Sequence, residues 1–496
     1  MFWKSIFSAK SGGEQIRTRF APSPTGLFHI GNVRTALFNF LFAKKYNGKF
    51  ILRIEDTDFE RYKPEYESNI IETLKWLKLF WDEGPYKQSE RLDIYAKYLR
   101  ELLDSGDAFY CFHSKEAIEK ERAEQIENKK APAHHCEFKK IPLKDAEKHL
   151  TQEKALIRFR MPVDVEIAFH DLIRGEVRFN SNALEGDFSL AKADGPNKFF
   201  PLYNFAVVID DFEMGISHVI RGEDHISNTP KQILVQRALR IPMPQYAHLP
   251  LILGSDKSKL SKRHAAVSVA EYREAGYLPE ALLNFIALLG WNPGTEREVF
   301  ALEELASEFD LNKVQKSGAV FNTEKLDWLN GCYLRQMSID QLAERAIPFL
   351  EKNKLITKGN YDLERVKKIL TIEQPRLKKL GEIGDRRLSF FFKQPEYEPR
   401  LLIWRDMLFK DIVTSLKISL AALQGIMEIE FMRANLENVL LKEAERAKNK
   451  DKGRLLWPLR VALTGLEASP GPFEILEILG KIESIGRIEK AIKKLL

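Results

Sequence analysis

The side chains best suited to chemistry begin in the stretch Arg19–Asp58, RFAPSPTGLFHIGNVRTALFNFLFAKKYNGKFILRIEDTD. His29 lies two residues before Gly31, at the start of a helical pattern. An imidazole can donate to phosphate oxygens, and its ordinary pKa near 6.5 leaves it neutral or charged in that role. Gly31 and Asn32 would open the helix, where unpaired N–H groups and the positive end of the dipole receive phosphate if no side chain blocks the approach. Far along the chain, LILGSDKSKLSKRHAAVSV sets Lys257, Lys259, Lys262 and Arg263 among Gly254 and four serines. Cations on such a loop can close over a triphosphate, although a basic loop by itself is more often solvated surface.

A second set of groups would suit an acidic amino acid. Arg19 lies in an apolar strand and Arg221 follows one, so each is costly to bury without an anionic partner. Guanidinium pairs bidentately with carboxylate. Glu55 offers the opposite charge for an ammonium group, and Tyr203 offers a hydroxyl. From the residues alone, pairing of either arginine with a nearby acid such as Asp56 or Asp224 is the favoured explanation.

The elements that must position these groups follow from periodicity and punctuation. TRF reads as a strand end, APSPTG breaks regular structure, and Val33, Ala36, Leu37, Phe40 and Leu41 recur on one helical face. Phe50 to Ile54 reads as a strand ending in Glu55, Asp56 and Asp58. Pro64 to Leu79 reads as an amphipathic helix, the Gly84–Pro85 pair as a turn, and the residues through Leu103 as another helix. ALIRFRM and VEIAFHDLIRGEVRF are strand-like. AVVID, with Tyr203 at its start, and HVIRG read as strands, followed by a helix opened by Thr229–Pro230. Alternation of this kind predicts a doubly wound, mostly parallel sheet, with ligands outside the carboxyl ends of its strands. Beyond YLPEALLNFIALLGWNPG the pattern is a succession of amphipathic helices.

At 496 residues the chain is too long for one core, and 44% hydrophobic with 30% charged residues describes a soluble protein, with no apolar run of bilayer-spanning length. MFWKSIFSAK lacks the apolar core of a secretory signal. Three cysteines, Cys111, Cys136 and Cys332, make no disulfide framework, which fits a cytoplasmic setting. The net charge is +6, and residues 361–496 hold 26 Lys and Arg against 20 Asp and Glu, so the excess sits in the last third. That suits contact with a polyanion or a solvated lysine-rich face. Cys111-x-His113 with His135–Cys136 offers four N/S donors of the kind zinc takes. Against that, C-x-H and HHC are not standard zinc spacings and adjacent side chains seldom reach one ion, so ordinary thiols and surface histidines are the expected reading.

RFAPSPTG, HIGN, LRIEDTD and KLSKR together resemble the motifs of class I aminoacyl-tRNA synthetases, specifically the glutamyl-tRNA synthetase family. HIGN stands where that family has HIGH, and KLSKR where it has KMSKS. The resemblance implies an α/β fold: a Rossmann-like class I catalytic domain with an α/β insertion, followed by all-α anticodon-binding domains. It divides the chain into an N-terminal extension (1–16), the first catalytic half (17–107), an acceptor-end-binding insertion (108–200), the second half (201–255), the KLSKR loop with a helical junction (256–330) and the anticodon region (331–496).

The same resemblance implies substrates and site residues. ATP with Mg²⁺ and L-glutamate would form glutamyl-adenylate, and the glutamyl group would pass to the 3′ end of tRNA(Glu). His29, Lys259 and Lys262 would stabilise developing charge. His29, Gly31, Asn32, Lys259, Ser261 and Lys262 would hold ATP, and Arg19, Ser23, Glu55, Tyr203 and Arg221 would hold glutamate. Some family members bind zinc, and Cys111, His113 and Cys136 match three of their ligand positions while Phe138 occupies the fourth. Arg386, Arg387, Trp404 and Arg405 are candidates to read anticodon bases. A monomer is expected, and tRNA(Gln) remains open as a second acceptor. The rivals are a glutaminyl-tRNA synthetase, which carries β-barrel anticodon domains, a truncated relative that modifies a tRNA base, a small-molecule adenylyltransferase and an inactive RNA-binding paralogue.

Overall fold

The computed structural model describes residues 15–496 apart from 130–132, 135, 185, 197, 261–267, 385 and 447–450, and apart from the side chains of Arg386 and Arg387. The chain divides into two compact units, Met1–Glu271 with Leu282–Thr323, and Tyr272–Ala281 with Glu324–Leu496.

The first unit opens with β1 (Arg17–Phe20), α1 (Ile30–Lys45), β2 (Lys49–Ile54), α2 (Pro64–Trp76) and β3 (Glu83–Lys87). The three strands are parallel in the order β1-β2-β3. Helix α1 buries Val33, Ala36, Leu37, Phe40 and Leu41, the face its periodicity marks out. The Gly84–Pro85 pair lies inside β3 rather than in a turn. Proline lacks the N–H that an inner strand must donate, and β3 is an edge strand of this sheet with an irregular register against β2.

After α3 (Leu92–Asp104) come β4 (Ala108–Cys111), α4 (Lys115–Glu127), α5 (Leu143–Leu150), β5 (Ala155–Phe159), β6 (Glu166–Asp171), β7 (Gly175–Asn180), β8 (Ser189–Ala193) and β9 (Phe199–Pro201). β4, β5, β8 and β9 form an antiparallel sheet in that order. The hairpin β6–β7 leaves it and joins a different sheet.

That sheet is completed after α6 (Tyr203–Glu213) by β10 (His218–Gly222), α7 (Thr229–Ala238) and β11 (Gln245–Leu249), in the order β10-β11-β6-β7. β10 and β11 are parallel. The Ser217 N–H donates to Arg17 O at 3.0 Å and the Arg17 N–H to Ser217 Oγ at 2.9 Å, which sets the start of β1 beside the start of β10. Tyr203 therefore opens a helix, α6, and not the strand that its apolar run AVVID suggests. β12 (Ile252–Leu253) pairs with a later short strand, β13 (Ala319–Val320). Between them run α8 (Val269–Glu274), α9 (Pro279–Leu288) and α10 (Leu302–Glu308).

The second unit is helical: α11 (Thr323–Gln336), α12 (Ile339–Lys352), α13 (Leu363–Glu373), α14 (Arg386–Ser389), α15 (Phe409–Gln424), α16 (Arg433–Glu445), α17 (Gly453–Thr464) and α18 (Pro472–Leu495). Its core gathers Leu342, Leu416, Leu436, Leu459 and Ile488, all shut off from water. Gly480, at φ 78°, breaks α18 into two helical pieces, a backbone position that a side chain would strain. Among the described residues no helix is long and apolar enough to cross a membrane.

Candidate active site

A cleft of about 1050 Å³ opens at the carboxyl ends of β1, β2 and β10. Arg19, Ser23, His29, Gly31, Asn32, Glu55, Tyr203, Arg221 and Lys259 all line it, so the structure brings together every one of these sequence-marked residues. Ser261 and Lys262 lie outside the described residues.

The turn after β1 is tied down from two sides. The Glu55 N–H donates to Pro22 O at 3.0 Å and the Lys63 N–H to Pro24 O at 3.3 Å. His29 is the N-cap of α1, accepting the Asn32 N–H on Nδ1 at 3.3 Å. With Nδ1 an acceptor, the proton belongs on Nε2. The ring faces the cleft, yet dehydration by the walls and then the Lys259 charge hold its pKa below the usual value, against Asp224. His29 is thus a neutral donor at neutral pH. A Cβ on Gly31 would fall 3.0 Å from Cε1 and 3.1 Å from Nδ1 of this ring, so Gly31 leaves room for the histidine as well as for a ligand. Asn32 Oδ1 is buried with no hydrogen-bond partner among the described residues.

The basic loop is anchored beside this helix at both of its described ends. The Leu260 N–H donates to Ile252 O at 2.9 Å, and Lys259 bridges to Leu253. On the far side Ser268 bridges to His29, and the Val269 N–H donates to Phe28 O at 3.1 Å. The root of the segment is held by Arg34, whose guanidinium donates to Pro250 O, and by Glu223, which accepts the Leu251 N–H at 2.7 Å.

The arginine wall is built differently from either sequence alternative. Arg19 pairs with neither Asp56 nor Asp224: it donates through Nε to Asp211 Oδ1 at 3.0 Å and through Nη2 to Oδ2 at 3.3 Å. Asp56 is taken up by the N–H and hydroxyl of Ser89. Arg53, fully buried on β2, shares Asp211 at 2.8 Å and also donates to Glu55 Oε1 at 3.1 Å. Burial would raise the Asp211 carboxyl, but Arg19 and Arg53 outweigh it and hold the carboxyl below its usual range. For Glu55, burial wins over Arg53 and Arg19, and its pKa is raised.

Arg221 is 5% exposed, and among the described residues no carboxylate pairs with it. Its guanidinium donates to Thr229 Oγ1 at 2.8 Å, His248 Nε2 at 3.1 Å and the Tyr203 hydroxyl at 3.5 Å. His248 is wholly buried, with Nδ1 against Asp171 Oδ2 at 2.6 Å. Burial, ahead of the opposing Asp171 contact, lowers the His248 pKa, so it stays neutral and accepts from Arg221 without cancelling its charge. The Tyr203 hydroxyl reaches His225 Nδ1 at 3.0 Å, where burial and then Arg221 push the imidazole down to about 4.

Sequence reading missed Arg53, Asp211 as the partner of Arg19, His225 and the Asp171–His248 pair. The available signal was a lone arginine inside an apolar strand together with two consecutive aspartates in an apolar run.

Apart from the cleft, Cys111, His113, His134 and Cys136 place one donor atom each within 4.8 Å of one another. Cys111 Sγ lies 3.5 Å from both His113 Nδ1 and His134 Nε2. His113 and His134 are therefore not surface histidines: their side chains are 22% and 7% exposed. Phe138 gives no donor and packs edge-on against the His113 ring at 5.0 Å, and His135 lies outside the described residues. Hydrogen bonding from Cys136, and then from His113, draws the Cys111 thiol below its usual range. The far nitrogen of each histidine meets a carboxylate, His113 Nε2 with Glu137 at 3.2 Å and His134 Nδ1 with Glu121. In the helical unit, Trp404 Nε1 donates to Asp451 at 3.0 Å, and Arg405 lies 5.1 Å over the Trp404 ring and pairs with the same aspartate.

A cleft at the carboxyl ends of parallel strands, with HIGN at a helix start and the basic loop rooted beside it, is the arrangement of a class I synthetase. The family described as tRNA synthetases class I (E and Q), catalytic domain, matches residues 15–328, and an anticodon binding domain matches 341–492. The chain belongs to that class I (E and Q) family.

The chain is 44% identical over 490 residues to glutamate–tRNA ligase 2 of Caldicellulosiruptor saccharolyticus, covering 97% of this chain and 99% of that one. It is 41% identical over 485 residues to glutamate–tRNA ligase of Carboxydothermus hydrogenoformans, covering 95% and 99%. The crystal structure of a glutamate tRNA ligase from Elizabethkingia meningosepticum, in complex with its amino acid, superposes with a TM-score of 0.86 at 36% identity, covering 97% of this chain and all of that one.

Gly31→Ala is expected to push the His29 ring from its place and to lower ATP-dependent pyrophosphate exchange, measured with tRNA present, about 100-fold, the scale of a small misplacement at a reacting centre. Unchanged exchange would show that the ring tolerates the extra carbon.

Proposed function

We propose that the chain is a glutamate–tRNA ligase: it activates L-glutamate with ATP and passes the glutamyl group to the 3′ end of tRNA(Glu). The observation that carries the amino-acid choice is Arg221, buried at the cleft wall and presented by neutral partners, with no carboxylate paired to it among the described residues. A side-chain carboxylate supplies what that guanidinium lacks, while an amide leaves it uncompensated. Arg19 adds a second cation on the same wall, Tyr203 a hydroxyl, and Glu55 takes the substrate ammonium with Ser23 at the mouth.

The chemistry needs no protein nucleophile. An oxygen of the glutamate α-carboxylate attacks the ATP α-phosphorus in line. The bond to the bridging oxygen breaks, pyrophosphate leaves with that electron pair, and a mixed anhydride, glutamyl-adenylate, remains. A terminal ribose hydroxyl of tRNA then attacks the acyl carbon, loses its proton and expels AMP. Mg²⁺ enters with ATP as part of the substrate. His29 donates through Nε2 to the phosphates over the open N-terminus of α1, and Gly31 clears the approach. Lys259, Ser261 and Lys262 supply donors and positive charge from the loop, and Asn32 offers its side-chain amide N–H₂. These groups act by position and by charge matched to the transition state.

The helical unit is the anticodon-reading part, with Arg386, Arg387, Trp404 and Arg405 as candidate base contacts. We read the enzyme as a cytoplasmic monomer, with tRNA(Gln) as a candidate second acceptor. The Cys111, His113, His134 and Cys136 cluster fits Zn²⁺ by its donor set, two thiols and two imidazoles whose other nitrogens already rest on carboxylates. Bound there, zinc supplies a structural clamp between the end of β4 and the segment around Cys136.

Charging assays with glutamate and glutamine, each on purified tRNA(Glu) and tRNA(Gln), test the reading. Glutamate is expected to be the amino acid accepted, and charging with glutamine alone would overturn the pocket argument. Lys262→Ala is expected to slow adenylate formation about 100-fold with tRNA affinity nearly unchanged, the scale of losing one transition-state donor. A fall in tRNA binding instead would remove the loop from the ATP site. Metal analysis of the purified chain is expected to find one zinc, and His134→Ala to lower its occupancy at least about tenfold. A wild-type chain isolated without zinc, and binding none when it is added, would reject the site.

A further inference from the structure

The aim of Arg221 into the cleft is set by what its guanidinium, a group that only donates, meets behind it. Nη2 donates to Thr229 Oγ1 at 2.8 Å and Nε to His248 Nε2 at 3.1 Å, and the Thr229 oxygen lies 3.1 Å from the same ring nitrogen. Nη1 is left at the cleft wall, 3.5 Å from the Tyr203 hydroxyl. The arrangement requires Nε2 of His248 to accept, so the proton of the neutral ring must sit on Nδ1.

The residue behind the ring imposes that tautomer. Asp171, wholly buried at the end of β6, places Oδ2 at 2.6 Å from Nδ1 and 3.0 Å from the His248 N–H. Its Oδ1 accepts the N–H groups of Ile173 at 2.9 Å and Arg174 at 2.8 Å. Burial would raise this carboxyl, but the His248 ring and those N–H groups outweigh it and hold it below its usual range. An ionised carboxylate only accepts, so Nδ1 must donate. Neither Asp171 nor His248 lines the cleft.

We infer that His248 is a positioning residue for amino-acid selection: Asp171 fixes its tautomer, and the unprotonated Nε2 then holds Arg221 where its remaining N–H groups meet a side-chain carboxylate. This rests on the glutamate-pocket reading above. Asparagine at 171 would reverse the ring. Its oxygen belongs beside the Ile173 and Arg174 N–H groups, which leaves its N–H₂ facing Nδ1. The ring proton then moves to Nε2, and two donors meet at Arg221. Glutamine at 248 has no tautomer to reverse and brings an amide oxygen of its own.

The test is charging kinetics of the full chain on tRNA(Glu), with KM read for glutamate and for ATP. Asp171→Asn is expected to raise KM for glutamate at least about tenfold, the scale of a charged donor left unmet, with KM for ATP within about threefold of wild type. His248→Phe, which keeps a ring and loses the acceptor, is expected to do the same, and His248→Gln to stay within about fivefold of wild type. In the His248→Gln background, Asp171→Asn is expected to change KM for glutamate less than about threefold, because its effect passes through the imidazole. An aspartate with a merely structural role would cost as much in either background. A smaller rise in Asp171→Asn or His248→Phe, a larger one in His248→Gln, a parallel rise in KM for ATP, or a larger penalty in the His248→Gln background overturns the inference.

If thermal unfolding shows that Asp171→Asn does not fold, the variants at His248 decide alone. The expected rise in His248→Phe without one in His248→Gln supports the inference, and any other result, loss of folding included, overturns it. An unchanged KM for glutamate in Arg221→Met fails the pocket reading itself. A raised KM in Arg221→Met with an unaffected His248→Phe fails only this inference.

Discussion

Positive charge held out of water is the constraint on which the catalytic unit turns. A guanidinium removed from solvent must be met by charge or by oriented acceptors, or its burial costs more than the surrounding packing returns. Three arginines satisfy this in three ways. Arg53 is surrounded by acids, Arg19 shares one acid, and Arg221 has, among the described residues, a phenol, a threonine and a neutral histidine. The gradient runs from closed to open compensation, and the cleft lies at the open end.

The scaffold exists to hold that gradient still. Arg19 and Arg53 come from neighbouring parallel strands and Asp211 from α6, the helix that follows the last strand of the antiparallel sheet. His248 and Arg221 face each other across the register of β10 and β11. Every charged group of the wall is therefore tied to backbone whose own hydrogen bonds are made, which gives the wall its fixed geometry before any substrate arrives.

Much of this was legible in the sequence where the signal was local. The order strand, break, helix, strand across Arg19–Asp58 is set by prolines, glycines and a 3.6-residue period, and those act within a few residues. The helical C-terminal region was legible for the same reason. YNFAVVIDDFE was not, because a short apolar run rich in β-branched residues has no period to separate a buried strand from a buried helix. The difference matters chemically: in a strand Asp210 and Asp211 would point to opposite faces, whereas in a helix they lie about 100° apart and both reach Arg53. His134 was passed over as a donor in favour of its neighbour His135, although His134-x-Cys136 mirrors Cys111-x-His113, since the spacing between the pairs carries no rule. The cleft arginines were legible as costly, but the acid that Arg19 meets lies 192 residues away along the chain, and Arg221 meets a tyrosine, a threonine and a histidine instead.

The strand order of the middle region bears on what can be moved or removed. Between β4 and β9 the chain makes part of one sheet, leaves to lay β6 and β7 onto another, and returns. Asp171, which anchors His248 behind Arg221, is the last residue of β6. The region is thus stitched into the catalytic body rather than hung from it by two adjacent ends. Excising or exchanging it between relatives as one cassette would unravel an edge of the catalytic sheet and take with it a support of the amino-acid wall. Its four-stranded sheet and its β6–β7 hairpin belong to one continuous stretch of chain, so a change that shifts the first is felt in the second.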